Sequence, residues 1–124
     1  MMHRVLIVDD DQLVADTLAL IFNKCGYDAT VAYSADQAME LARVSPPNLL
    51  LCDISMPGRD GVELVKEMSG EFPACRILVL TGFHSNLKRV SEQSSTLPRP
   101  LGIMTKPCQP DDLLREANAL LASA

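Results

Sequence analysis

The chain is predicted to fold as an α/β domain, a five-stranded parallel sheet doubly wound by helices on both faces. Three observations carry that expectation. Short apolar runs alternate with helix-period segments along the whole chain. The runs are apolar at successive rather than alternate positions, which suits strands covered on both sides. Four of them also end abruptly on groups able to do chemistry: Val5–Val8 on Asp9 and Asp10, Leu49–Cys52 on Asp53, Ile77–Leu80 on Thr81, and Leu101–Thr105 on Lys106.

The first strand spans Arg4 to Val8. After it Val14, Leu18 and Ile21, with Leu13, Thr17 and Phe22 beside them, recur at helical spacing up to Cys25, where Gly26 is a natural stop. Ala29 to Ala32 fits a second strand. Ser34-Ala35-Asp36-Gln37 reads as a capping box, with Ser34 as cap and Gln37 reaching back. The helix it opens carries Ala38, Leu41 and Ala42 and ends before Pro46-Pro47. The third strand closes on Asp53, and Pro57 and Gly58 then stop regular structure. Gly61 to about Ser69 forms a helix on Val62, Leu64, Val65 and Met68, and Arg76 to Leu80 is the fourth strand. Between Phe83 and Pro100 the only spaced apolar anchors are Leu87 and Val90, so a fourth helix there is expected to be short or irregular. Leu101 to Thr105 is the fifth strand. A last helix starts near Pro110, a residue suited to a first helical turn, with Leu113, Leu114, Ala117, Leu120 and Leu121 inward.

The 124 residues suffice for one domain with its own core, and 48% hydrophobic against 22% charged residues is a globular balance. A net charge of −5 argues against direct nucleic-acid binding, since the densest basic patch, Lys88-Arg89 with Arg99, is small. No stretch is apolar enough to span a bilayer and no signal-peptide pattern opens the chain, so a soluble cytoplasmic protein is expected. Cys25, Cys52, Cys75 and Cys108 are far apart with no C-x-x-C pair, which favours buried thiols over a zinc site or disulfide framework. His3 and His84 have no partner at ligand spacing.

In a doubly wound sheet, ligands sit beyond the carboxyl ends of the strands. The strand ends bring Asp9, Asp10, Asp53, Thr81 and Lys106 to one edge: three carboxylates, a hydroxyl and an amine. Crowded carboxylates repel unless a cation sits among them, and oxygen-only ligands with water favour Mg²⁺. Such a site suits phosphoryl transfer, where positioning and charge neutralisation do most of the catalysis.

Val8-Asp9-Asp10, Cys52 to Gly58, Leu80-Thr81-Gly82 and Lys106-Pro107 together resemble the receiver domain of two-component response regulators, end to end and in family order. The resemblance implies one receiver domain over residues 1–124, with the flavodoxin-like strand order 2-1-3-4-5. It implies that Asp53 is the phosphoacceptor, that Asp10 binds Mg²⁺ directly with Asp9 helping, and that the Ser55 backbone carbonyl completes the metal ligands. Thr81 and Lys106 would contact the phosphoryl group, and the Lys106-Pro107 bond would be cis. Ser55 and Phe83 match the positions that tune phosphoryl lifetime. The implied donor is a phosphohistidine on a sensor histidine kinase or histidine phosphotransfer protein. The implied output is a downstream protein target or an output domain outside this sequence, with a weak homodimer through the fourth-helix and fifth-strand face. The receiver would catalyse only its own phosphorylation and dephosphorylation.

The chain departs from the family pattern at Ile103, where an aromatic residue is usual, and at Leu97 to Gly102, which replaces a Gly-Ala pair. These departures predict a switch that reorders Phe83 to Pro100 instead of turning an aromatic ring. Two other functions are compatible with the same residues. One is a constitutive protein-binding pseudo-receiver. The other is a metal-dependent phosphatase, which would place an acid where Ser55 stands.

Overall fold

The computed structural model describes residues 2–54, 61–81, 101–105 and 109–122. Five strands form one parallel sheet: β1 (Arg4–Val8), β2 (Asp28–Ala32), β3 (Leu49–Asp53), β4 (Arg76–Thr81) and β5 (Gly102–Thr105). Their order is β2-β1-β3-β4-β5, as expected. Four helices are described: α1 (Gln12–Lys24), α2 (Ala35–Val44), α3 (Gly61–Glu71) and α4 (Pro110–Ala122). The segment expected to hold a short fourth-crossover helix, Phe83 to Pro100, lies outside the described residues.

The three central strands are those whose sequences are unbroken apolar runs. Leu49, Leu50, Leu51 and Cys52 of β3 are all buried, each leucine contributing about 2 kcal/mol by leaving water. Alternation along the strands divides the core into two layers. Leu6, Val8, Leu50, Cys52, Ile77 and Val79 pack with Ala38, Met39 and Ala42 of α2 and Leu64, Val65 and Met68 of α3. On the other face Val5, Ile7, Leu49, Leu51, Leu78 and Leu80 pack with Ala15, Ala19 and Phe22 of α1 and Leu113 and Ala117 of α4.

One helix face differs from expectation. The buried stripe of α1 is Ala15, Ala19 and Phe22, whereas Val14, Leu18 and Ile21 are half-buried at its side. Leu13 is 77% exposed and Thr17 is also exposed. The two stripes lie one residue, about 100°, apart. Ala15 and Ala19 leave room for α1 to lie close on the sheet, and Phe22 fills the wider space at its C-terminal end, edge-on to Tyr27 with ring centroids 5.2 Å apart.

The caps follow the sequence. Asp11 caps α1 by accepting from the Val14 N–H at 3.2 Å, and Gly26 after that helix has φ +91, the left-handed conformation glycine adopts freely. Ser34 Oγ accepts from the Gln37 N–H at 3.1 Å. Gln37 reaches back one residue further than a standard capping box, its Oε1 accepting from the Tyr33 N–H at 2.8 Å.

Candidate acidic site at the sheet's carboxyl edge

Register decides which residues meet. Val8 pairs with Cys52, so Asp9, the residue after β1, stands beside Asp53, the last residue of β3. Asp53 pairs with Leu80, and Thr81 closes β4 one step beyond, opposite Thr105. Alternation from Ile7 and Leu51 turns Asp9 and Asp53 toward the same side of the sheet, that of α1 and α4. Thr81 alternates to the other side with Val79, where Ile103 is also packed.

The three carboxylates converge. One oxygen each from Asp9, Asp10 and Asp53 lies within 4.8 Å of the other two. Among the described residues, no other group of three acids, histidines or cysteines gathers this way. Asp9 and Asp53 are only 2% and 7% exposed, and Asp10 is exposed. Two buried like charges at that range repel by roughly 3 kcal/mol at an effective dielectric of about 20, so the cluster is costly unless something positive sits in it.

The supporting backbone is specific. Asp9 is held by its own N–H, which donates to the Ala32 carbonyl at 3.1 Å. Its Oδ1 accepts from the Asp11 N–H at 2.9 Å, folding the turn that leads into α1. The N-terminus of α1 follows immediately and places its positive dipole end near the acids. Behind Asp53, the Ile54 N–H donates to the Leu80 carbonyl at 3.0 Å, and the Gly61 N–H donates to the Ile54 carbonyl at 3.1 Å. The first residue of α3 thus packs on the end of β3.

The structure therefore brings Asp9, Asp10 and Asp53 together and ends β4 on Thr81, which is 1% exposed. Ser55, Phe83 and Lys106, with the Lys106-Pro107 bond, lie outside the described residues. An oxygen-only, anionic donor set with one solvent-facing member fits a hard cation such as Mg²⁺. Two supports escaped the sequence reading. Gly61 was legible only as a helix start, and nothing local signals the hydrogen bond between Tyr33 and Asp16, 17 residues apart in sequence.

Comparison with known proteins agrees with this geometry. The family model for the response regulator receiver domain matches residues 5–118. The chain belongs to that family, and it is a receiver domain of two-component systems. It is similar to a CheY-like receiver domain protein from Methanospirillum hungatei JF-1, with 28% identity and a TM-score of 0.87, over 98% of this chain and 94% of that one. It is also similar to chemotaxis protein CheY4 of Vibrio cholerae, with 25% identity and a TM-score of 0.84, over 97% and 99% of the two chains. NtrX from Brucella abortus is 26% identical with a TM-score of 0.86. There 98% of this chain covers only 27% of the other. No helix among the described residues is long and apolar enough to cross a membrane.

Proposed function

We propose that the chain is the phosphoacceptor of a two-component phosphorelay and takes a phosphoryl group onto Asp53. The observation that supports this most is the meeting of three carboxylates within 4.8 Å at the carboxyl edge of the sheet. Asp10 and Asp53 would hold Mg²⁺ directly, with the Ser55 carbonyl as a further ligand. Asp9, with Oδ1 already accepting from the Asp11 N–H, would help from behind. When bound, Mg²⁺ neutralises the acids and screens an incoming phosphoryl group from them.

The chain's own residues would do the rest. A carboxylate oxygen of Asp53 forms the new P–O bond while the P–N bond of a phosphohistidine donor breaks. The electron pair stays on the departing imidazole, which takes up a proton. Thr81 donates a hydrogen bond to one phosphoryl oxygen, and the Lys106 ammonium pairs with another. The protein would act on no outside substrate and would catalyse only the gain and loss of its own phosphoryl group.

Residues 1–124 would work as one receiver unit in the cytoplasm. A sensor histidine kinase or histidine phosphotransfer protein lies upstream, and a protein target or an attached output domain lies downstream. The test is phosphorylation by a small acyl phosphate. The label should require Mg²⁺ and vanish in Asp53→Asn. No label on the wild-type protein, with equal partner affinity before and after donor treatment, would replace this reading with that of a constitutive binding module.

A further inference from the structure

Ala32 and Tyr33, consecutive residues where β2 ends, grip the acidic turn from both sides. The Ala32 carbonyl accepts from the Asp9 N–H at 3.1 Å. The Tyr33 hydroxyl donates to Asp16 Oδ1 at 2.6 Å, on the second turn of α1. Between these anchors runs Asp9-Asp10-Asp11, the stretch that carries two of the three converging carboxylates. Tyr33 is itself held at its backbone, where its N–H donates to Gln37 Oε1 in the first turn of α2 at 2.8 Å.

We infer that Tyr33 is a positioning residue for the divalent-cation site. By tying α1 to the end of β2 through Asp16, it fixes the turn that aims Asp10 at Asp9 and Asp53. The inference rests on the proposed Mg²⁺ reading of the acid cluster. The physical reason lies in the charges. Asp10 is exposed and is pushed outward by two like charges, so its aim depends on the backbone that carries it. A turn fixed in the fold does not have to be ordered when the ion binds, and that ordering would otherwise weaken affinity.

The geometry separates two contributions of this pair. Tyr33→Phe removes the hydroxyl and keeps the Asp16 charge. Asp16→Asn removes the charge and keeps an acceptor oxygen. Asp16→Ala removes both. Calorimetric titration with Mg²⁺, alongside urea unfolding of the metal-free protein, reads each variant. Tyr33→Phe should raise the Mg²⁺ Kd roughly three- to tenfold, the range of one hydrogen bond, with only a small change in the urea midpoint. Asp16→Asn should lose less affinity than Asp16→Ala, and the Tyr33→Phe/Asp16→Ala double variant should be little worse than Asp16→Ala alone. Wild-type Mg²⁺ affinity in Tyr33→Phe would overturn the inference, as would Asp16→Asn losing as much as Asp16→Ala. A wild-type protein that binds no Mg²⁺ would overturn the underlying reading, and the inference with it.

Discussion

Gly61 lies so close to Asp53 that a Cβ on it would stand 2.8 Å from the Asp53 carbonyl oxygen and 2.6 Å from the Ile54 Cα. Both neighbours are backbone and cannot swing aside. The first turn of α3 is therefore seated on the strand end that presents the Asp53 carboxylate. Gly61→Ala should cost about 1–3 kcal/mol, as overpacking does, read as a lower urea midpoint with unchanged slope. It should also slow phosphorylation, because either α3 or the end of β3 must shift. Gly70, in the same helix, has nothing within 4 Å of an added Cβ. Gly70→Ala should be neutral or stabilising by up to about 1 kcal/mol and should leave labelling unchanged.

The acid cluster predicts an inversion of stability with metal. In a chelator, Asp53→Asn removes a buried charge that faces Asp9. It should melt roughly 2–6 °C above wild type if relief is about 1 kcal/mol. Saturating Mg²⁺ stabilises whichever protein binds it by mass action, so the difference should shrink or reverse in its presence. Thermal unfolding with and without Mg²⁺ checks both signs.

The β2 edge of the sheet is guarded. At the outer strand β2, the Ala29 N–H donates to Asn23 Oδ1 at 2.9 Å and the Tyr33 N–H donates to Gln37 Oε1 at 2.8 Å. By the strand period these flank Val31, leaving little open ladder between them. The Asn23→Ala/Gln37→Ala pair should lose about 1–3 kcal/mol of stability. Sedimentation velocity should show stronger concentration-dependent self-association than in the wild type.

Cysteine chemistry follows from burial. Desolvation pushes the Cys75 thiol up to about 12, against small opposing effects from the Leu50 backbone and Arg76. Cys52 is buried and Cys25 is exposed, so the expectation of buried thiols fails at Cys25, which follows the end of α1. Peptide-resolved alkylation near neutral pH should label Cys25 well ahead of Cys52 and Cys75. Because the folded thiol of Cys75 holds its proton above the ordinary thiol range, its contribution to stability is complete below about pH 8.5. It is lost as pH rises toward 12. Cys75→Ala should flatten that part of the alkaline unfolding profile.

Most of this molecule was legible because its signals are local. Runs such as Leu49–Cys52 can bury both faces only in the middle of a sheet, and the residue after each run falls at the carboxyl edge whatever the details. Asp9, Asp10 and Asp53 therefore met as expected. The inner face of α1 was not legible, because Val14, Leu18 and Ile21 offer the same period as Ala15, Ala19 and Phe22. Periodicity alone cannot choose between adjacent apolar stripes of the same spacing. Nor could the seat of Gly61 on Asp53, or the bond from Tyr33 to Asp16, be read from sequence, since each depends on two elements meeting in space.

Where the phosphoryl group resides decides whether Asp53 is the acceptor. Purified protein treated with a small acyl phosphate and Mg²⁺ would be trapped and mapped by peptide mass spectrometry. A phosphoacceptor Asp53 should carry a single phosphoryl adduct on its side chain, absent when Mg²⁺ is withheld. An adduct on another residue, or one on Asp53 that forms equally well in a chelator, would contradict that role.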